Sequence, residues 1–402
     1  MAEATVDVLM KVVGPKGPFE AESYTQFKTR PVMDLLRQGF TPGQFCELRE
    51  FSFAAGVGEI VARAAFPRAR SVSWYHFDPA YGFRHRENAE AVTTEWGDSL
   101  PWHFRTNARG FRGPAWPDAV PAGTRRVLVT GDSFTFGDGL DEADAYPQVA
   151  NASVNRATSQ WQVLNLGVSA WGPQNALAYL ETEGKAIEGS CLVYGFFESN
   201  DVIDDMVRRL YTVKEGRLVK EPVVVAPPTR LMRVRAVMQA LPLYDALIAH
   251  SQLFNVVRTG MINRMTKPDP AATAADPYTQ TSHEDFAAAL DLNDATLDAM
   301  ATLARARFGG FALVIIPELG QLSSDPKVWK PFPPWMGEEA HARVLAWAKQ
   351  HDVPVLDLRE HLPKDPAGLA QHYFVKDFHL NATGNLVLGK ALAERLPTLC
   401  PK

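Results

Sequence analysis

The chain has 402 residues, of which 46% are hydrophobic and 22% charged, and its formal net charge is −5. This composition is typical of a globular protein and excludes a disordered or collagen-like chain. The acidic balance, 46 Asp and Glu against 41 Lys and Arg with no basic run, argues against a nucleic-acid partner. The length exceeds that of one compact domain, so we expect a large core domain with an extension.

The N-terminal part, residues 1–125, predicts an extension or collar. Residues 65–117 are rich in aromatic residues, His and Arg but show no sustained periodicity. Residues 51–66 form the most apolar stretch, but Glu59 and Arg63 interrupt it. Because a bilayer span needs about 20 apolar residues, we expect no stable membrane span.

The first residues and the cysteines predict a cytoplasmic protein. The first ten residues carry Glu3 and Asp7 and lack the basic start of a secretory signal. The three cysteines are widely spaced, and no C-x-x-C pair occurs. This pattern excludes a disulfide framework or a zinc ribbon and fits a reduced compartment. Export or membrane association is the alternative location.

From residue 126 to residue 402 the pattern predicts one α/β domain. Short apolar runs alternate with longer stretches of helical periodicity, which is typical of a parallel sheet covered by helices on both faces. We therefore expect a three-layer α/β/α fold with a parallel five-stranded sheet. The five predicted strands are Arg126–Thr130, Gln162–Leu166, Cys191–Phe196, Phe311–Ile316 and Val353–Leu358.

Three of the covering helices have clear sequence signals. Ser282 stands three residues before Asp285, as in a capping box, and begins a helical pattern. Gly337–Gln350 predicts another helix, and Thr383 is a candidate cap of a last helix that runs to Leu396.

An insertion of about residues 202–281 follows the third strand, and it exceeds the usual strand-to-helix connection of about two to six residues. Tyr211–Val225 predicts a hairpin that turns at Glu215-Gly216. Leu231–Met265 is helical in pattern, with apolar residues on one face. We expect this helix to pack on the main domain. A lid over the site is the functional alternative. A helix that touches a membrane is a third possibility, because the stretch contains several arginines.

Small and polar residues follow the first three strands of the predicted sheet. These segments are GDSFTFG at Gly131–Gly137, NLGVSAWGPQ at Asn165–Gln174 and ESND at Glu198–Asp201. In a doubly wound sheet ligands bind beyond the carboxyl ends of the strands, so the site is expected at this edge. The hydroxyl of Ser133, at a strand-to-helix turn, is well placed for a nucleophile.

A serine alcohol needs a base that removes its proton, and the base needs an orienting partner. Near the C-terminus the chain has Asp377-Phe378-His379-Leu380-Asn381. In an extended chain a two-residue spacing places two side chains on one face. We therefore expect Asp377 to hold His379 while His379 addresses Ser133.

These four segments, in this order, resemble the four sequence blocks of the SGNH, or GDSL, hydrolases over residues 126–396. The resemblance implies a flavodoxin-like fold and cleavage of carboxylic esters through an acyl-enzyme. It implies Ser133 as nucleophile, His379 as general base and Asp377 as its orienting group. The oxyanion hole would consist of the N–H groups of Ser133 and Gly167 and the side chain of Asn200. The segment Asn107–Gly113 also resembles the lead-in of a bacterial subgroup, many of whose members are membrane-anchored or exported.

Two departures from the family pattern leave alternatives open. Glu198 stands where the third block usually has glycine, and the last block is D-x-H instead of D-x-x-H. The D-x-H spacing is familiar from relatives that acetylate polysaccharides, so an O-acyltransferase acting on a carbohydrate or another hydroxyl acceptor is the first alternative. A non-catalytic binding or scaffold protein on the same fold is the second.

The remaining candidate residues have weaker signals. Asp132 is expected to anchor the nucleophile turn, and Glu198 to be solvated or paired with an arginine. Phe134 and Trp171 line an acyl pocket or belong to the core. The histidines of residues 76–103 lack the spacing of metal ligands, and neither a dinucleotide fingerprint nor a phosphate loop occurs. We expect no metal, no cofactor, and a small-molecule, glycan or lipid ester as substrate; oligomeric state stays open.

Overall fold

The computed structural model describes residues 54–64, 75–93, 97–98, 100–155, 160–221, 244, 247, 250–265, 277–325, 328, 330–374 and 376–401. The chain forms two compact units. Residues 73–225 and 269–402 form the sheet unit, and residues 1–72 and 226–268 form the second unit. Residues 73–125 thus group with the sheet, whereas the sequence prediction placed the boundary of the main domain at residue 126.

Eleven strands lie in the described part of the chain. They are β1 (Tyr75–Asp78), β2 (Gly82–His85), β3 (Glu90–Thr93), β4 (Trp102–Arg105), β5 (Arg125–Gly131), β6 (Trp161–Gly167), β7 (Cys191–Phe197), β8 (Tyr211–Lys214), β9 (Arg217–Lys220), β10 (Phe311–Ile316) and β11 (Val355–Asp357).

The described helices range from one turn to seven. They are α1 (54–64), α2 (Ser133–Phe136), α3 (Tyr146–Val154), α4 (Pro173–Glu181), α5 (Asp201–Arg208), α6 (Gln252–Met265), α7 (Pro277–Gln280), α8 (His283–Phe308), α9 (Leu319–Leu322), α10 (Pro334–Gln350), α11 (Pro366–Ala370) and α12 (Ala382–Leu399).

The central sheet has five parallel strands in the order β6-β5-β7-β10-β11. Numbered along the chain this order is 2-1-3-4-5, the flavodoxin-like arrangement, whose ligand crevice lies between the first and third strands. The fold predicted from the sequence is therefore confirmed. The switch point lies between β5 and β7, with Gly131 opposite Gly195 in the register.

Helices cover both faces of this sheet because each strand presents apolar side chains on both sides. Along β5, Leu128 packs on one face with α4, α8 and α10, whereas Val127 and Val129 pack on the other face with α3 and α12. Successive side chains of a strand point to opposite faces, so an all-apolar strand needs a helical layer on each side. This produces the three-layer architecture.

The ends of the elements follow local chemistry. Ser282 caps α8 as predicted, and its Oγ accepts from the Asp285 N–H at 3.1 Å. The prediction for the last helix was wrong: Asn381, not Thr383, is the N-cap of α12, and its Oδ1 accepts from the Thr383 and Gly384 N–H groups. Strand β11 is shorter than predicted because Pro354 has no N–H to donate and Asp357 caps a 3₁₀ turn at Leu358–Glu360.

Strands β1 and β2 pair antiparallel, as do β3 and β4, in a part of the chain where the sequence showed no periodicity. The predicted β8–β9 hairpin is confirmed, with Glu215 at φ 51° and Gly216 at φ 72°, the left-handed conformations of a tight hairpin turn. The helical prediction for Leu231–Met265 lies partly outside the described residues; α6 covers Gln252–Met265.

In the second unit, Glu59 of α1 caps α6. Its carboxylate accepts from the N–H groups of Gln252 and Leu253 and from the Ser251 hydroxyl. Among the described helices none is long and apolar enough to cross a bilayer.

A disulfide joins Cys191, at the start of β7, to Cys400, directly after α12. Both cysteines are buried. The sequence argument for reduced cysteines was wrong at this pair, because 209 residues separate two positions that the fold brings together. The bond ties the last helix to the central strand of the sheet.

Candidate active site

The turn after β5 places Ser133 at the carboxyl edge of the sheet. Asp132 is the N-cap of α2, and its Oδ1 accepts from the Phe134 N–H at 2.9 Å, which is the anchoring role expected from the sequence. A Cβ at Gly131 would lie 2.7 Å from the Gly195 carbonyl oxygen, so only glycine allows β5 and β7 to approach this closely. Ser133 is consequently fixed at the switch point as the first residue of the helix.

The structure brings Ser133, His379 and Asp377 together. The Ser133 hydroxyl donates to His379 Nε2 at 2.7 Å, and His379 Nδ1–H donates to Asp377 Oδ1 at 2.8 Å. All three residues are at least 91% buried. Both distances are hydrogen-bond distances, as proton transfer from the hydroxyl to the imidazole requires.

Asp377 is held from both sides. Its Oδ1 also accepts from the His379 N–H at 3.3 Å, so the segment is a turn closed by the aspartate and not the extended chain that the spacing argument assumed. Its Oδ2 accepts from the Gly97 N–H at 2.6 Å. Gly97 lies in the loop between β3 and β4 and was not predicted as part of the site.

The charges around His379 favour its protonated form. Burial opposes charging of the ring, but the Asp377 carboxylate, with smaller contributions from Asp138 and Asp132, holds the pKa of His379 above its ordinary value. Burial alone would raise the pKa of Asp377, whereas the charge and hydrogen bond of His379 lower it below its usual range. Asp377 is therefore ionised when His379 accepts a proton.

Asn200 lies in the turn between β7 and α5, across the switch point from Ser133. It occupies the N-cap position, but its side chain makes no capping hydrogen bond. Its Oδ1 is buried and has no hydrogen-bond partner among the described residues. The neighbouring side chains are fixed instead: the Ser199 hydroxyl donates to Glu318, and Asp201 accepts from the Phe197 N–H and the Tyr194 hydroxyl.

Glu198, the departure from the family pattern, is fully buried. Its carboxylate forms an ion pair with Arg359 and accepts from His341 Nδ1 at 2.9 Å. Of the two expectations, pairing with an arginine is confirmed and solvation is wrong. Both carboxylate oxygens are engaged by these partners, so Glu198 is held in place two residues before Asn200.

Gly167 does not offer its N–H as the resemblance implied. That N–H donates to Asn165 Oδ1 at 2.9 Å. In the same segment the Val168, Ser169 and Trp171 N–H groups donate to Gly131 O, His85 Nε2 and Val168 O. The N–H of Ala170 meets no acceptor among the described residues; Ala170 is exposed and has a φ of 64°.

The two aromatic residues proposed for substrate binding lie in different places. Phe134 packs beside the triad of Ser133, His379 and Asp377; its ring centroid lies 4.8 Å from that of His379 and 4.1 Å from that of Phe197. Trp171 is fully buried and packs against Tyr81 and Tyr179 in the core. Its indole N–H donates to the Phe83 carbonyl, so Trp171 is a core residue and not a wall of the site.

Gly97, Ala170 and His85 were not predicted as site residues, although Gly97 bonds Asp377 and His85 bonds Ser169, the neighbour of Ala170. Each contributes a backbone group or a contact between distant parts of the chain, so no local pattern marks it. The left-handed glycine at position 97 and the buried histidine at position 85 become informative only once the hairpins are placed.

Similar folds occur among solved structures. A member of the lipolytic protein G-D-S-L family from Veillonella parvula is 12% identical with a TM-score of 0.37 over 67% of this chain and 97% of its own. The aryl esterase of M. smegmatis is 13% identical with a TM-score of 0.35 over 69% of this chain and 100% of its own. A GDSL-like lipase from Bacteroides thetaiotaomicron is 10% identical with a TM-score of 0.38 over 70% of this chain and 92% of its own.

In fold, the chain is similar to solved structures described as a G-D-S-L lipolytic protein, a GDSL-like lipase and an aryl esterase. No protein-family model and no curated protein matches it. The 2-1-3-4-5 strand order of the sheet defines the fold independently of these alignments.

Proposed function

We propose that the protein is a serine hydrolase of the SGNH type that cleaves carboxylic esters. The observation that carries this proposal is the unbroken chain of contacts from Ser133 Oγ through His379 to Asp377, at 2.7 and 2.8 Å. A serine, an imidazole and a carboxylate in this order form the arrangement that activates an alcohol for acyl transfer.

The reaction proceeds in two halves. Ser133 Oγ attacks the ester carbonyl carbon while its proton passes to His379 Nε2, and the carbonyl oxygen becomes an oxyanion. The tetrahedral adduct collapses to an acyl-serine, and the leaving alkoxide takes the proton from His379. Water then gives a proton to His379 and attacks the acyl carbon; collapse releases the acid and returns the proton to Ser133.

The oxyanion requires hydrogen-bond donors that are free in the resting protein. The Ser133 N–H qualifies because the first residue of a helix has no intrahelical acceptor. We assign the other two donors to the Asn200 side chain and the Ala170 N–H. Gly167 is not assigned, since its N–H already donates to Asn165.

Hydrolysis of a chain-length series of aryl esters by wild type and Ser133→Ala tests the proposal. Wild type should release the phenol with a preference for one range of acyl lengths, and Ser133→Ala should lose the activity. Equal rates in both proteins would contradict it. Folding of the variant is checked by circular dichroism.

The D-x-H spacing at Asp377 and His379 supports a second candidate, an O-acyltransferase on a carbohydrate or other hydroxyl. In that reaction an acceptor hydroxyl replaces water in the second half. Product analysis with and without a sugar acceptor separates the two: a transferase forms the new ester at the expense of free acid. A non-catalytic scaffold, the remaining alternative, would give no fluorophosphonate adduct at Ser133 in folded protein.

A further inference from the structure

We propose that His85 is a positioning residue for the turn after β6, where it fixes Ser169 so that the Ala170 N–H can serve the oxyanion. The inference rests on the proposed function. It assigns a role to a residue of the N-terminal hairpins, which the triad itself does not use.

The contact between His85 and Ser169 is direct and buried. His85 ends β2 and is 1% exposed. Its Nε2 accepts from the Ser169 N–H at 3.1 Å. A nitrogen that accepts carries no proton, so the neutral ring has its proton on Nδ1. The rings of Phe136 and Phe104, with centroids 4.3 and 5.3 Å away, hold the imidazole in place.

The same serine is linked to the nucleophile turn. The Ser169 hydroxyl donates to Asp138 Oδ1 at 2.8 Å, and the Asp138 N–H donates to the Ser133 carbonyl at 3.0 Å. One continuous set of hydrogen bonds therefore runs from His85 through Ser169 and Asp138 to Ser133. It sets the distance between the Ser133 turn and the turn that carries Ala170.

Ala170 needs such support because its backbone is strained. A residue with a Cβ at φ 64° lies in the left-handed region that non-glycine residues rarely adopt. Strained backbone of this kind persists only where its surroundings fix it, and it is often found at active sites. Here Ser169 is fixed by His85, and the Ala170 carbonyl accepts from Arg208 at 2.9 Å.

A buried histidine that only fills the core is the alternative, and two substitutions distinguish it. In His85→Gln the amide oxygen reaches the place of Nε2 and accepts from the Ser169 N–H. In His85→Asn the side chain is too short for its amide oxygen to do so. We expect His85→Asn to lower kcat by about 10- to 100-fold with KM nearly unchanged, as the loss of part of one oxyanion donor predicts. His85→Gln should regain most of this activity.

Two further readouts complete the experiment. The Ki of a trifluoromethyl ketone analogue, whose adduct carries the oxyanion, should rise in His85→Asn by about the factor by which kcat falls. The matched control is His76→Asn, an exposed histidine in the same hairpin, which should leave kcat unchanged. Thermal unfolding shows that each variant is folded.

The proposal is overturned when folded His85→Asn keeps kcat within about twofold of wild type, or when His85→Gln and His85→Asn lose equal activity. If neither variant folds, Ser169→Ala decides, because it keeps the N–H on His85 but loses the link to Asp138. A fall in kcat without a change in KM supports the network, and an unchanged kcat contradicts it. Activity remaining in Ser133→Ala would instead refute the proposed function itself.

Discussion

At the scale of single residues, substitution of Asn200 distinguishes an oxyanion role of its side chain from a structural role. Its side chain makes no capping bond, so Asn200→Ala should leave the thermal midpoint nearly unchanged. Loss of one oxyanion donor should lower kcat by about 100- to 1,000-fold in the aryl ester assay. The control is Asn155→Ala, whose amide bonds the carbonyls of Asn151 and Trp161 and which should cost stability but not turnover. Unchanged turnover in folded Asn200→Ala would contradict the assignment.

The pH dependence of turnover reports on His379. The imidazole must be neutral to accept the Ser133 proton, and Asp377 holds the pKa of His379 above its ordinary value despite burial. We therefore expect kcat/KM to rise with pH through an apparent pKa that lies above the ordinary value of a histidine. In Asp377→Asn the negative charge beside His379 is lost. The rise of kcat/KM with pH should therefore move to lower pH, while the maximal kcat/KM at high pH should fall.

This profile is measured with an ester whose alcohol does not titrate over the range. An acid limb that stays in place in Asp377→Asn would show that another group controls it.

At the scale of elements, the β3–β4 loop supports the triad through one backbone bond. Gly97 has φ 59°, and a Cβ there would lie 3.1 Å from the Phe374 ring, so Gly97→Ala should displace its N–H from Asp377. A lost hydrogen bond to a charged group predicts a fall in kcat of about tenfold or more. Gly123→Ala is the matched control, since Gly123 has φ 77° but nothing near its Cβ. Equal kcat in the two variants would contradict the role of the loop.

The elements of the sheet could be predicted from the sequence because four of its five strands are short, mostly buried segments built around apolar residues. Phe311–Ile316 was predicted to the residue, and the strands at Arg125–Gly131 and Trp161–Gly167 extend the predictions by one residue at each end. The last helix shows the limit. Asn381 and Thr383 are both good caps by residue type, and only the turn that brings the Asn381 side chain back to the helix decides between them.

At the scale of the whole molecule, long-range pairings are what the sequence did not show. The bonds of Gly97 to Asp377 and of His85 to Ser169 join segments 280 and 84 residues apart. Ser133, His379 and Asp377 could be predicted as candidates because their residue types and order resemble the SGNH pattern. Their supporting residues have no such pattern and follow only from the fold.

The disulfide between Cys191 and Cys400 gives a prediction for the folded protein. Alkylation of unreduced, denatured protein should modify one of the three cysteines, and Cys191→Ala/Cys400→Ala should lower the free energy of unfolding by about 2–5 kcal/mol. Mass spectrometry and urea unfolding check both parts. Modification of all three cysteines would contradict the bond. Since the pair is oxidised here, the cysteines no longer support the expected cytoplasmic location.

Ester cleavage by the proposed route requires that Ser133 becomes acylated. The most direct measurement is mass spectrometry of enzyme that is mixed with an aryl ester, acid-quenched within the first turnover and digested. We expect a mass increase equal to the acyl group on the peptide that contains Ser133, absent in Ser133→Ala and strongly reduced in His379→Ala. Turnover of the ester with no acyl group on that peptide, or with the group on another residue, would contradict it.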